Sequence, residues 1–207
     1  MRRPRREESQ SRGFTLVEFV LVGVIAIVVG VMVVMVSLSL SRGLTILSVR
    51  SLVSGRMRAT AEWFEREIHA AQAIEATYTD TGGTAHTTSF TVVILRLPSI
   101  NPVSPTDVDR VIYRLNGARL ERTIDAAPGT GRVAQCGGAG LCPKTRTLVG
   151  GDGVLSVTTL RFSTDAAGTS APQPSTRRIV AAFGVSGTLQ GFGDTQNLTV
   201  TYRLRSN

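Results

Sequence analysis

Histidine and cysteine are scarce in this chain of 207 residues, which has two of each. Acid–base catalysis and metal binding lean on clusters of these side chains, so their rarity narrows the functional classes at once. His69 falls in a helical stretch and His86 among Thr and Gly; neither belongs to a recognisable catalytic constellation. Cys136 and Cys142 are half of a four-ligand zinc set with no histidine near them in sequence, so no metal and no cofactor is expected. Phosphate-binding loops are missing as well. Gly82-Gly83 and Gly150-Gly151 lack the strand, spacing and lysine that such a loop needs. Ser and Thr are plentiful, but abundance does not make a nucleophile. A membrane-anchored enzyme outside the cytoplasm is the weakest of three readings, and the chain is read as non-enzymatic.

What is present is charge at one end and a long apolar run beside it. The formal net charge is +8. Arg2, Arg3, Arg5, Arg6 and Arg12 face only Glu7 and Glu8 in residues 1–13, so this leader carries a net +3 and the remainder +5. Arginine on that side of an apolar segment marks it as cytoplasmic. The run over residues 14–36 would reach about 34 Å as a helix, sufficient to cross a bilayer. A secretory signal has a shorter core with its small-residue cleavage site on the far side; here Gly13 precedes a longer core. Gly23 and Gly30 are seven apart and do not form the four-spaced packing motif, so tolerance and close helix approach explain them equally well. Glu18 breaks the apolar pattern. A lone carboxylate is costly in a spanning segment, and the most economical account is a partner subunit that supplies the counter-charge.

Gly13-Phe14-Thr15-Leu16-Val17-Glu18, behind a basic leader and ahead of the apolar run, resembles the cleavage and methylation signal of type IV prepilins and type II secretion pseudopilins. The resemblance implies that a prepilin peptidase/N-methyltransferase cuts after Gly13 and methylates the new amine of Phe14. Thr15, Leu16 and Val17 would complete the recognition segment. Glu18, one helical turn after Phe14, would pair with the α-amine of a neighbouring subunit. Such a pair loses hydration on both sides, so it gives register and selectivity more reliably than affinity. The implied partners are other pilins or pseudopilins and the inner-membrane assembly platform. The implied location is a single pass through the cytoplasmic membrane, with the N-terminus inside and the C-terminal domain outside.

The remainder reads as a helix followed by strands. Residues 37–43 form a polar exit; helical character is expected to weaken at Gly43 and Gly55 and to resume from Met57 to Ala76. Met57, Phe64, Ile68 and Ala71 make an apolar stripe, with Glu62, Glu65, Arg66 and Glu67 on other faces and Trp63 at the stripe's edge, packed in the core. Residues 77–89 read as a loop. Strands are expected over 90–97, 108–115, 118–124, 154–162 and 198–204, with a strand or a pair of strands over 178–189. Asn116-Gly117 suits a type I′ hairpin turn. This predicts an α+β, pilin-like fold: a long N-terminal hydrophobic helix packed distally on an antiparallel β-sheet. The divisions are a removed leader (1–13), a transmembrane and assembly helix (14–36), a polar exit with an amphipathic helix (37–76) and a β-rich head (77–207). Val111-Ile112-Tyr113-Arg114-Leu115-Asn116-Gly117, Leu120-Glu121-Arg122, Asp152-Gly153-Val154 and Leu160-Arg161-Phe162 resemble segments of larger minor subunits, the J-type pseudopilins and W-type minor pilins.

With the head outside the cytoplasm, Cys136 and Cys142 bracket a flexible Gly-Gly-Ala-Gly-Leu that can bring them together. A disulfide-closed loop is the first reading there, free thiols the second and a metal site the third. The leading function is structural, a minor pilin or pseudopilin in initiation or at the tip of a type IV pilus or type II secretion pseudopilus. The runner-up is a DNA-binding minor pilin for DNA uptake, in which Arg177, Arg178, Arg203 and Arg205 join on the folded surface. Arg110, Arg114, Arg119 and Arg122 alternate with acidic residues and read mainly as solvated strand positions.

Overall fold

The computed structural model describes residues 15–102, 104, 107–138 and 140–205. They divide into two compact units, one ending at Leu44 and the other beginning at Thr45. Helix α1, Leu16–Ala70, supplies the described part of the first unit and opens the second. Every side chain from residue 15 to residue 44 is exposed, and α1 is long and apolar enough to cross a membrane. The breaks expected at Gly43 and Gly55 do not occur. A glycine costs a helix about 1 kcal/mol, less than the burial of Val53 and Met57 on either side of Gly55 provides.

From Thr45 onward, α1 lays one stripe into the core of the second unit. Val49, Val53, Met57, Phe64 and Ile68 are buried, so the stripe begins two turns earlier than its sequence pattern predicts. The helix also ends earlier, at Ala70 rather than Ala76. The alanine-rich sequence favours a helix, but the Gln72 N–H donates to the Arg96 carbonyl and β1, Ala73–Glu75, joins a sheet that buries Ile74. Tertiary pairing overrides propensity here.

Residues 77–89, expected as a loop, hold a second small hairpin of β2 (Thr77–Thr79) and β3 (Ala85–Thr87). It is tied down by carboxylates. Asp80 accepts from the Thr84 N–H at 2.8 Å, while Asp125 accepts from the Tyr78 hydroxyl, the Thr81 N–H and the Thr81 hydroxyl. β4 (Val92–Pro98), β5 (Val108–Asn116), β6 (Arg119–Asp125), a short α2 (Val133–Cys136) and β7 (Lys144–Val149) follow. β1, β4, β5, β6 and β7 lie side by side in that order in one antiparallel sheet. The sequence pattern revealed neither α2 nor β7. The β5–β6 hairpin forms, but Asn116 pairs with Arg119, leaving Gly117 and Ala118 as its turn. Only Gly117 of these two has positive φ, whereas type I′ requires it at both.

The second sheet has β9 (Arg178–Leu189) between β8 (Leu155–Ser163) and β10 (Phe192–Arg203). β9 is one strand, paired with β10 at all twelve positions. Phe64 of α1 joins the two sheets, its ring edge-on to Tyr113 of the first at 4.6 Å and to Phe162 and Phe183 of the second, both at 5.7 Å. Gly187 in β9 makes room for an earlier turn of α1, since a Cβ there would come within 2.8 Å of Val53 and 3.3 Å of Val49. The fold is α+β, with a long N-terminal apolar helix and antiparallel sheets.

Candidate functional site

Gly13 and Phe14 lie outside the described residues. Thr15, Leu16, Val17 and Glu18 open α1, and all four are exposed. Glu18 Oε2 accepts from the Thr15 N–H at 2.8 Å and from the Thr15 hydroxyl at 2.9 Å, while the Glu18 N–H donates to Thr15 Oγ1 at 3.3 Å. This is a capping box: Thr at the N-cap and Glu three positions on satisfy each other's backbone amides, which the first turn of a helix otherwise leaves orphaned. Thr-x-x-Glu was legible in the sequence as that motif. Its presence means the carboxylate has local donors whether or not another chain is near. Both bonds fall on Oε2, and Oε1 has no hydrogen bond among the described residues. One oxygen of the acid is thus open to a second donor.

In the head, Cys136 and Cys142 are joined, with their Cα atoms 5.3 Å apart. Cys136 ends α2, and Gly137 takes the left-handed conformation that turns the chain out of it. Arg178 and Arg203 stand directly opposite each other at one end of the β9–β10 ladder. Arg177 accepts from the Leu204 N–H there, and the Arg205 N–H donates to the Ala71 carbonyl. The four arginines are exposed at that end, and none enters an ion pair among the described residues.

Two expectations about charged residues are corrected. Glu67 is only 3% exposed, on the buried face of α1 rather than off it, and Arg122 is 6% exposed rather than solvated. They pair: Arg122 Nε donates to Glu67 Oε1 at 3.0 Å and to Oε2 at 3.1 Å, and Nη2 donates to Oε1. The Tyr113 hydroxyl donates to Oε2 of the same carboxylate. Burial first, then the Glu67 charge, pushes the Tyr113 phenol well up. Burial opposes the Arg122 charge, but the Glu67 hydrogen bonds and charge outweigh it and raise its pKa. Position 67 lies three after Phe64, so the helical period alone placed it on the core face. Trp63 is not core but half-buried, with the Arg122 guanidinium 4.9 Å and the Arg66 guanidinium 5.3 Å from its ring centre. A pair of cations on the indole explains why it stays at the rim.

His86 Nε2 lies 3.0 Å from Asp80 Oδ2, and both side chains are buried. Burial works against ionising Asp80, but the contact with His86 and the Thr84 N–H hold its carboxyl below the ordinary value. His69 is instead exposed, edge-on to the Tyr202 ring at 6.4 Å. No cluster of three or more His, Cys, Asp or Glu side chains is arranged to hold a metal among the described residues. No protein-family model matches the chain, and no curated protein matches it.

Proposed function

We propose that the chain is a membrane-anchored structural subunit of a pilin-like filament, a minor pilin or pseudopilin that assembles through its N-terminal helix. The observation that carries this reading is the exposure of every side chain over residues 15–44 in a helix of membrane-spanning length that begins at Thr15 and Glu18. Apolar surface of that extent needs lipid or other apolar helices around it. The resemblance of residues 13–18 to a prepilin signal names the second kind of neighbour. On this reading the peptidase cuts after Gly13, Phe14 becomes the methylated terminus, and Oε1 of Glu18 receives the amine of the next subunit. The leader stays on the cytoplasmic side and the head lies outside, where Cys136 and Cys142 oxidise. The role is assembly, not catalysis.

The test is intact mass and co-purification from host membranes. Loss of residues 1–13 with one added methyl group is expected, and Glu18→Ala should insert and be processed yet leave the filament partners. A full-length, unmethylated mass, or an alanine variant that co-purifies unchanged, overturns the reading.

A second reading draws on the arginines at the end of the β9–β10 ladder, where Arg178 faces Arg203 with no acid paired to either among the described residues. Like charges placed opposite repel, and a nucleic-acid phosphate would relieve them. Salt-dependent binding of DNA, lost on reversing these two charges, is its test.

A further inference from the structure

A different basic surface lies along β7. Between it and the Arg56–Trp63 stretch of α1 runs a trough whose widest part is a cleft of about 460 Å³ lined by Trp63, Arg122, Lys144 and Arg146. A neighbouring depression shares Trp63 and Arg146 with it and adds Arg56, and a further one runs from Arg56 to Arg119. Arg56, Arg119, Lys144 and Arg146 are exposed, and none has an ion-pair partner among the described residues. Arg146 also stands directly opposite Arg122 across the β6–β7 ladder. Glu67 neutralises Arg122, but nothing does the same for Arg146. Among the described residues Asp152 is the one carboxylate lining the trough; it accepts from the Val154 and Leu155 N–H groups and its charge is felt by Arg56, which leaves Arg119, Lys144 and Arg146 uncompensated. The charge balance therefore calls for an anion from outside.

The backbone says what kind. β7 ends its sheet, so one edge of its peptide groups is not hydrogen-bonded to another strand among the described residues. Unpaired edge groups recruit an extended polypeptide. Nucleic-acid phosphates can accept from the edge N–H groups but cannot donate to the edge carbonyls as a polypeptide does, and a single strand would also want an aromatic face to stack on. Both guanidiniums near Trp63 compete for that face. We infer that the trough between α1 and β7 is a docking site for an extended acidic polypeptide segment, which adds to the free edge of β7 while its carboxylates meet Lys144, Arg146 and Arg56. This inference does not depend on how the N-terminal helix assembles.

Trp63 is the only tryptophan in the chain, so its fluorescence reports on the trough. The full chain in neutral detergent micelles would be titrated with four probes: a short peptide alternating Glu and Thr, its Gln–Thr counterpart, the Glu–Thr peptide N-methylated at alternate residues, and oligothymidylate. The expected result is a saturable change with the Glu–Thr peptide alone. The double variant K144E/R146E, altered only at exposed side chains, should keep its thermal melt and weaken binding roughly tenfold or more. Equal binding of the N-methylated peptide would show that the edge is not used. Tighter binding of oligothymidylate would assign the trough to nucleic acid. No response to any probe would leave Lys144 and Arg146 as charges that merely keep an edge strand from self-pairing. Each of these three outcomes overturns the inference.

Discussion

Replacing Glu67 with methionine should cost the head more stability than any other single truncation of a charged side chain. Arg122 is 6% exposed and takes three hydrogen bonds from its nitrogens to this carboxylate, so removing the acid strands a buried guanidinium. A buried charge left without its partner costs about 3–5 kcal/mol. The Tyr113 hydroxyl loses its acceptor too, adding about 1–3 kcal/mol if it finds no other. Against a typical net stability of about 5–15 kcal/mol, that is a large fraction of the whole. The same reasoning gives a sign reversal. Removing all three polar partners together, as E67M/R122M/Y113F, takes away the stranded groups along with the pair, and such replacements are often neutral or stabilising by about 1–4 kcal/mol. The assay is guanidinium unfolding of the full chain in detergent, followed by far-ultraviolet circular dichroism, because Trp63 fluorescence would itself respond to losing Arg122. A Glu67→Met cost under about 1 kcal/mol, or a triple variant weaker than the single one, would refute the claim that the cluster's cost lies in its uncompensated parts.

All three tyrosines of the chain should resist ionisation in the folded state. Burial, reinforced by Asp125, pushes Tyr78 up to about 12; burial, with Glu65, does the same to Tyr202; and burial, with Glu67, raises Tyr113 well above its ordinary value. Folding therefore favours the neutral phenols, so their contribution to stability is full below about pH 10 and declines as pH rises above it. Absorbance at 295 nm should show the phenolate transition near pH 12 in the native chain and near pH 10 in denaturant; coincident curves would contradict the burial. Phe64→Ala removes the ring that touches both sheets, and the expected loss is about 3–5 kcal/mol in the same unfolding assay. A loss under about 1 kcal/mol would mean that the sheets close over the gap unaided.

The helix–strand order and most strand positions were legible because period and turn chemistry are local signals. Met57, Phe64 and Ile68 could be placed on the core face from spacing, and Asn116-Gly117 marked the hairpin even though the ladder closes one residue later. What escaped was decided by distant partners. Residues 144–147 alternate Lys, Thr and Arg, with apolar side chains only at Leu148 and Val149, and they become a strand because β6 offers its edge. Ala73–Glu75 looks helical until β4 is beside it. Glu67 and Arg122 look solvated because charge suggests water; the helical period puts Glu67 on the core face, and each charge can stay buried because it has the other. At the N-terminus two signals overlap: Thr15-x-x-Glu18 is a capping box with a purely local meaning, and the same glutamate is a lone acid in an apolar run, which points to a distant counter-charge.

That box changes what a solitary copy would experience in lipid. On the proposed reading its glutamate would enter hydrocarbon with one oxygen already held by a threonine of the same turn, so a single molecule would have a resting state in which the acid is partly satisfied. A neighbour's donor would then meet the open Oε1 of an acid whose Oε2 is already satisfied. A hydroxyl or amide offered from outside brings little that Thr15 does not already give, whereas a full positive charge brings much more. Discrimination between a charged newcomer and a merely polar one would thus be settled by the first turn of one helix, before the heads ever meet.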